Sequence, residues 1–254
     1  MPSDQLLLTV LGSATPYATV DNPCSGYLVT SGDTRVWIDA GSGTLAELQR
    51  HTRVDELDAI WISHLHADHS ADLLTAYYAL LFADIDLAAP IPLYGPPGTA
   101  DRLAHFLTNG PGRSPVEAAF AVHELYDGHR AEVGALTITS RAVRHDMPAF
   151  AARVEGSGTS LTYSGDTAPC TALTDLAVDT DVLLCEAESD RAPADGQVHH
   201  TPENAADTAR AAGARRLIVT HVGRFLTPAD ATSRAGALLG RDVEYAAPGE
   251  TFTL

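Results

Sequence analysis

The chain has 254 residues, 45% of them hydrophobic, and its 16 basic residues are all arginine against 33 acids, for a net charge of −17. This is enough apolar material for a sizeable core. With no Pro/Gly/Ser-rich linker and no shift in composition, one domain over residues 1–254 is expected. The charge disfavours long polyanions, because nucleic-acid binding gains affinity by releasing counterions at a basic surface, and the sequence has no 18-residue apolar run to cross a membrane.

The first residues, MPSDQLLLTVLG, place an acid where a signal peptide needs positive charge. Residues 6–11 therefore read as a first strand, and a cytoplasmic location is expected. Strands are expected at 26–30 and 35–40, joined by Ser31-Gly32-Asp33-Thr34, which has hairpin-turn chemistry. Residues 44–51 read as a short helix with Leu45 and Leu48 on one face. Residues 58–63 form a strand whose run Ala59-Ile60-Trp61-Ile62 is apolar without alternation, as in a strand buried on both faces. A helix is predicted over 70–82, a strand over 91–94 and a helix opening at Gly98-Thr99. At least two strands fall between 115 and 145, one of them at 136–139. Residues 151–154 and 160–163 pair across the turn Glu155-Gly156-Ser157-Gly158, and 182–185 is another buried strand. Thr201-Pro202-Glu203-Asn204 opens a helix that stops at Gly213, with Thr as N-cap and Pro in the first position. A strand at 216–220 and a helix at 228–239 complete the series. So many hairpins do not suit a purely parallel sheet. Two mixed sheets packed face to face with helices outside, an α/β architecture, fit better. The three cysteines, Cys24, Cys170 and Cys185, have neither disulfide-framework nor zinc-knuckle spacing.

Directly after the buried strand comes Ser63-His64-Leu65-His66-Ala67-Asp68-His69-Ser70, with three histidines and an acid within six residues. Loops at strand ends are where sites are built, and imidazole and carboxylate are natural ligands for zinc and similar ions. His64 and His66, two apart, can face one ion. Asp68 and His69 can face a second. The bland alternative, a solvated polar loop, fits poorly after a run as apolar as 59–62.

The segment resembles the HxHxDH signature of the metallo-β-lactamase superfamily. Further motifs follow in the order of its ribonuclease-Z-like branch: Arg144-His145-Asp146-Met147-Pro148-Ala149-Phe150, Tyr163-Ser164-Gly165-Asp166-Thr167, Leu184-Cys185-Glu186-Ala187-Glu188, His199-His200-Thr201 and Val219-Thr220-His221-Val222. Leu11-Gly12-Ser13-Ala14-Thr15-Pro16 and Asn22-Pro23-Cys24-Ser25-Gly26 resemble its opening loop. The resemblance implies a four-layer αβ/βα sandwich with two divalent metal ions, zinc first and manganese or iron as substitutes. His64, His66 and His145 would hold one ion, Asp68, His69 and His221 the other, and Asp166 would bridge them. A hydroxide between the ions would attack phosphorus or a carbonyl carbon, the metals lowering the pKa of water from about 16 to roughly 7. His199 would protonate the leaving oxygen with Glu186 as its partner, although strand alternation makes Glu188 a rival for that role. The expected catalytic residues are thus His199, Glu186 and Asp68. The remaining histidines, 51, 105, 123, 129 and 200, read as structural or surface residues.

Ribonuclease Z carries a long arm between the third histidine motif and the aspartate motif, whereas here only 20 residues separate His145 from Asp166. The chain thus looks like a short-form relative that does not bind transfer RNA and acts on a small-molecule substrate. Small phosphodiesters, including cyclic nucleotides, suit the retained glutamate and histidine motifs. Lactones, thioesters or other carbonyl esters are the rival substrates. An iron-dependent oxidoreductase or a non-catalytic metal-binding protein are the readings from other classes. Arginines converging on the metals would favour phosphate, with Arg144, Arg153 and Arg224 as candidates, and an apolar slot would favour an acyl chain. No membrane partner is expected, and a homodimer is left open.

Overall fold

The computed structural model describes residues 5–83, 85, 87–108 and 111–254. One sheet contains β1 (Leu6–Gly12), β2 (Gly26–Ser31), β3 (Thr34–Ile38), β4 (Ala59–Trp61), β5 (Ile91–Gly95), β6 (Phe120–Glu124) and, from the end of the chain, β14 (Thr251–Thr253). The other contains β7 (Arg130–Val133), β8 (Leu136–Val143), β9 (Ala149–Gly156), β10 (Thr159–Tyr163), β11 (Val182–Ala187), β12 (Arg216–Val222) and β13 (Glu244–Tyr245). Their orders are β14-β1-β2-β3-β4-β5-β6 and β13-β12-β11-β10-β9-β8-β7. Each sheet is antiparallel through its first strands and parallel beyond, the change falling at β3/β4 in one and β10/β11 in the other.

The helices are α1 (Thr44–Leu48), α2 (Ala67–Ser70), α3 (Asp72–Phe82), α4 (Thr99–Leu107), α5 (Thr171–Leu176), α6 (Pro202–Ala212) and α7 (Pro228–Leu239). Three apolar clusters account for the layers. Val36, Ile38, Ala59 and Trp61 face Val154, Tyr163, Leu184 and Ile218 between the sheets. Trp37 and Ile60, the alternate residues of β3 and β4, pack under Leu73, Leu80 and Leu103 of α3 and α4. Leu183 and Val219 pack under Leu173, Ala205 and Ala209 of α5 and α6. Successive strand side chains point to opposite faces, so the unbroken run of β4 serves two cores at once. The result is helices, sheet, sheet, helices, as expected.

The local signals read for α6 hold, and α7 falls on the expected range and is capped in the same way. Thr201 accepts a hydrogen bond from the Asn204 amide at 3.2 Å and Thr227 one from Asp230 at 3.0 Å, each followed by proline, and both helices end on a left-handed glycine, Gly213 or Gly240. Other expectations need correction. β4 spans only Ala59–Trp61: the Ile62 amide still bonds to the Tyr94 carbonyl of β5 at 2.8 Å, and the chain bends at Ser63. The helix expected from Ser70 is preceded by α2, which starts inside the histidine cluster. Short α5, β13 and β14 have no counterpart in the sequence reading. Among the described residues no helix is long and apolar enough to cross a membrane.

Candidate metal centre

The first ligand loop is shaped by a carboxylate that the sequence did not reveal. Asp39, fully buried just after β3, adopts a left-handed φ of 54°. Its Oδ1 accepts from the Ser63 amide at 2.7 Å, and its Oδ2 from the Ser63 hydroxyl at 2.8 Å and the Tyr163 hydroxyl at 2.8 Å. Ser63 is thereby pulled off the end of β4, and His64 turns inward, fully buried. The His69 amide donates to the His66 carbonyl at 3.1 Å, closing the first turn of α2 and bringing Asp68 and His69 back over the cluster. His69 Nδ1 donates to Asp39 Oδ2 at 2.7 Å, which leaves Nε2 to face the centre.

The second sheet supplies the other groups. His145 follows β8 and donates from Nδ1 to the Val198 carbonyl at 3.1 Å, so its Nε2 is the ring atom near His66 Nδ1, at 3.3 Å. Asp166 follows β10. His221, near the end of β12, has φ of 48° and Nδ1 at 2.8 Å from the Ser25 hydroxyl. Distances among the predicted ligands are short. His64 Nε2 lies 3.0 Å from His66 Nδ1. Asp166 Oδ1 lies 3.3 Å from His69 Nε2, and Asp166 Oδ2 lies 3.3 Å from His221 Nε2 and 3.8 Å from His64 Nε2. Asp68 Oδ2 is 3.8 Å from His221 Nε2 and 3.9 Å from His69 Nε2.

These atoms fall into overlapping groups able to hold a cation: His64, His66 and His145; His64, His69 and Asp166; Asp68, His69 and His221; and His145, Asp166 and His199. All seven residues named from the sequence as ligands are therefore in one place. Their donor set also fits a metal on independent grounds. His69 Nε2 and Asp166 Oδ1 are buried, 3.3 Å apart, and neither makes a hydrogen bond. Buried polar atoms are nearly always paired; two aimed past each other are what a shared cation would join.

The electrostatics agree. Burial, aided by His69, drives His64 well below its ordinary pKa, so its ring is neutral and its lone pair available. Burial also opposes charge on His69, but Asp166 and Asp39 outweigh it and raise that histidine well above its ordinary value. Asp166 answers in the opposite sense. Burial would raise it, and His221 and His69 bring it well below the carboxylate range. A proton on His69 thus neutralises Asp166, a task a divalent cation can take over while releasing that proton.

Beside the cluster, His199 Nδ1 donates to Glu186 Oε1 at 2.9 Å. Glu186 is fully buried and also accepts the Thr167 amide at 2.8 Å and the Glu188 amide at 3.1 Å. Burial disfavours charge on His199, yet Glu186, with help from Asp166 and Glu188, raises it to about 9. The two glutamates differ in geometry: Glu186 lies within β11 and holds the histidine, whereas Glu188 lies past the end of that strand at Ala187 and lines the open cavity. His200, by contrast, is buried between the Thr167 carbonyl at 2.6 Å and the Thr208 hydroxyl at 3.1 Å, the structural residue it was read to be. His123 stacks on Tyr94 and His129 on Tyr126, and neither lines the cavity.

The cavity over the cluster measures about 300 Å³ and is lined by His66, Asp68, Asp166, His199 and His221, with Glu188 in its wall. Among the described residues no arginine lines it, which corrects the expectation for Arg144, Arg153 and Arg224. Arg153 is engaged with the carbonyls of Leu176 and Val178, Arg144 reaches the Gln197 carbonyl, and Arg224 lies over the Phe225 ring.

A sandwich of two mixed sheets with a histidine–aspartate cluster at their shared edge defines a metal-dependent hydrolase. The family model described as the beta-lactamase superfamily domain matches residues 34–222, and the chain belongs to that superfamily, in its metallo branch. An uncharacterized protein of Mycobacterium tuberculosis is 36% identical over 253 residues, spanning 96% of this chain and 91% of its own length. Ribonuclease Z of Mycobacterium tuberculosis is 31% identical over 248 residues, 85% of each chain. Among solved structures, the metallo-beta-lactamase fold protein YhfI from Bacillus subtilis superposes with a TM-score of 0.84 at 24% identity, over 98% of this chain and 99% of that one. A diphosphatase from the PhnP family gives 0.77 at 21% identity over 98% of both.

Proposed function

We propose that the protein hydrolyses small phosphodiesters, cyclic nucleotides among them, with two divalent ions, zinc first. His64, His66 and His145 would hold one ion, Asp68, His69 and His221 the other, and Asp166 both. When bound, such ions supply Lewis acidity, which makes a water a competent nucleophile near neutral pH and offsets charge on the phosphoryl oxygens. The chain's own residues do the rest. Asp39 and Ser25 orient His69 and His221 from behind. Glu186 fixes the His199 ring and keeps it protonated, so that the ring can donate a proton from Nε2 to a departing alkoxide. Burial of the cluster keeps bulk water from screening these charges.

The observation that carries this reading is the His199–Glu186 pair beside the cluster. Metal-assisted attack alone leaves an alkoxide, a poor leaving group, and a positioned acid with a raised pKa removes that difficulty. The close relative named ribonuclease Z and the diphosphatase with the same fold are consistent with phosphoester chemistry. Transfer RNA is a poor fit for this chain, because the stretch between His145 and Asp166 is occupied by the β9–β10 hairpin and the net charge is −17.

The absence of arginine from the cavity lining favours keeping a second reading, hydrolysis of lactones, thioesters or other carbonyl esters. A panel on zinc-loaded protein separates the two: 2′,3′- and 3′,5′-cyclic nucleotides, bis(p-nitrophenyl) phosphate, lactones and thioesters, with metal content measured on the same preparation. Phosphodiesters are expected to give the highest kcat/KM. A lactone or thioester ahead of them would overturn the phosphodiester reading.

A further inference from the structure

The cavity over the metal cluster does not stand alone. Glu188, part of its wall, is also part of the wall of a second cavity of about 390 Å³, lined otherwise by Ser189, Asp190, Arg191 and Phe225. The two spaces are neighbours across one side chain. Phe225 is 76% exposed, so its ring is accessible from the cavity side. The guanidinium carbon of Arg224 lies 4.6 Å from its ring centroid, which occupies one face of the ring and leaves the other to offer.

The backbone two residues before the ring is tightly packed. Gly223 lies so close to Glu188 that a Cβ there would come within 1.9 Å of the Glu188 carbonyl oxygen. The segment after His221 is thus pressed onto the strand end that carries Glu188. The other wall is braced as well. Arg234 donates to the Asp190 carboxylate at 2.8 Å and its carbonyl at 2.6 Å, and to Glu203 at 2.7 and 2.9 Å.

The chemistry of the walls selects the occupant. The wall carries both signs of charge, Glu188 and Asp190 against Arg191, and Asp190 is already paired with Arg234. Its one aromatic surface is the Phe225 ring, on which a flat, uncharged heterocycle can stack. Glu188 can accept hydrogen bonds from sugar hydroxyls or an exocyclic amine. We propose that this second cavity receives the nucleobase of a nucleoside phosphodiester whose phosphate sits at the metal cluster, with Phe225 as the stacking platform. This rests on the phosphodiester reading and adds a specificity-determining residue to it.

Calorimetry on zinc-loaded protein tests it without relying on turnover, by comparing adenosine monophosphate with ribose 5-phosphate. The two share the phosphate and the sugar and differ in the base. The nucleotide is expected to bind roughly tenfold tighter, in the range of base–aromatic stacking. Phe225→Ala should erase that advantage and Phe225→Trp should keep it. Equal binding of the two ligands to the wild type would overturn the inference with no variant needed, and so would an advantage that survives Phe225→Ala. A base preference in a protein that turns over no phosphodiester would overturn the phosphodiester reading and leave the base site standing.

Discussion

The carboxylate of Asp39 stands 2.7 Å from Nδ1 of His69 and dictates which nitrogen of that ring faces the metal cluster. The same carboxylate holds Ser63 and Tyr163. Partners behind a metal-ligating histidine are typically worth 10–100-fold in metal affinity. Asp39→Asn should therefore weaken zinc binding by roughly that factor at the site containing His69, as read by competition with a chelator of known affinity. Unchanged affinity would show that His69 needs no such support.

Asp166 is within 3.8 Å of ring nitrogens on His64, His69 and His221, so it touches both groups of proposed ligands. Elemental analysis of reconstituted protein should give about two ions per chain, since seven converging ligands are too many for one tetrahedral ion. Asp166→Ala should lower occupancy at both positions and abolish turnover, whereas Asp68→Ala should weaken mainly one. Saturation of the wild type at a single ion would contradict the pairing.

General acid catalysis is typically worth 10²–10⁴-fold. His199→Ala should lose about that much on an ester with a poor leaving group while keeping its metals. An ester of p-nitrophenol, whose leaving group needs little proton donation, should lose far less. Equal losses on the two esters would remove His199 from the proton-donor role.

The pH dependence has a definite sign. His199 is raised to about 9 by Glu186 in spite of burial. It is protonated, and able to donate, below that value, so kcat should fall on the alkaline side. Bound cations repel the proton, which places the limb somewhat below 9. Glu186→Gln removes the charge that raises the pKa, and the alkaline limb should shift to lower pH. A limb that stays in place would mean that another group controls it.

Precursor transfer RNA should be cleaved poorly at physiological salt, more slowly than small phosphodiesters. The charge of −17 costs affinity for a polyanion, and the β9–β10 hairpin leaves no arm to supply it. Efficient processing in a nuclease assay would refute this.

The parts of the centre that could be read from sequence are those written close together. His64, His66, Asp68 and His69 fall within one loop after an apolar strand, and the more distant ligands could be named through their resemblance to ordered motifs. Asp39 gave no such signal, and Ser25 lay in a matched loop motif without a role attached to it. An acid after one strand and a serine before another acquire meaning only when the fold lays them behind His69 and His221. The choice between Glu186 and Glu188 could not be made from alternation, because β11 ends at Ala187 and Glu188 lies beyond it. Arg153 looked available from its position, yet its guanidinium is spent on carbonyls of the α5 region. β13, β14 and α5 are too short for periodicity to show.

The proposed ligands are divided between the two sheets. His64 and His66 come from the loop after β4 and Asp68 and His69 from α2, while His145, Asp166 and His221 follow or end β8, β10 and β12. The seam between those sheets is also crossed by the bonds of Tyr163 to Asp39, Trp61 to Ser140, and Tyr27 to Thr220. Each bound ion would therefore act as a rivet through that seam, drawing on both halves of the chain. Stripping the metal should loosen the join before it loosens either sheet. In hydrogen exchange, the Phe150 amide, which donates across the seam to the Ser63 carbonyl at 2.9 Å, should become labile while the centres of β2 and β11 stay protected.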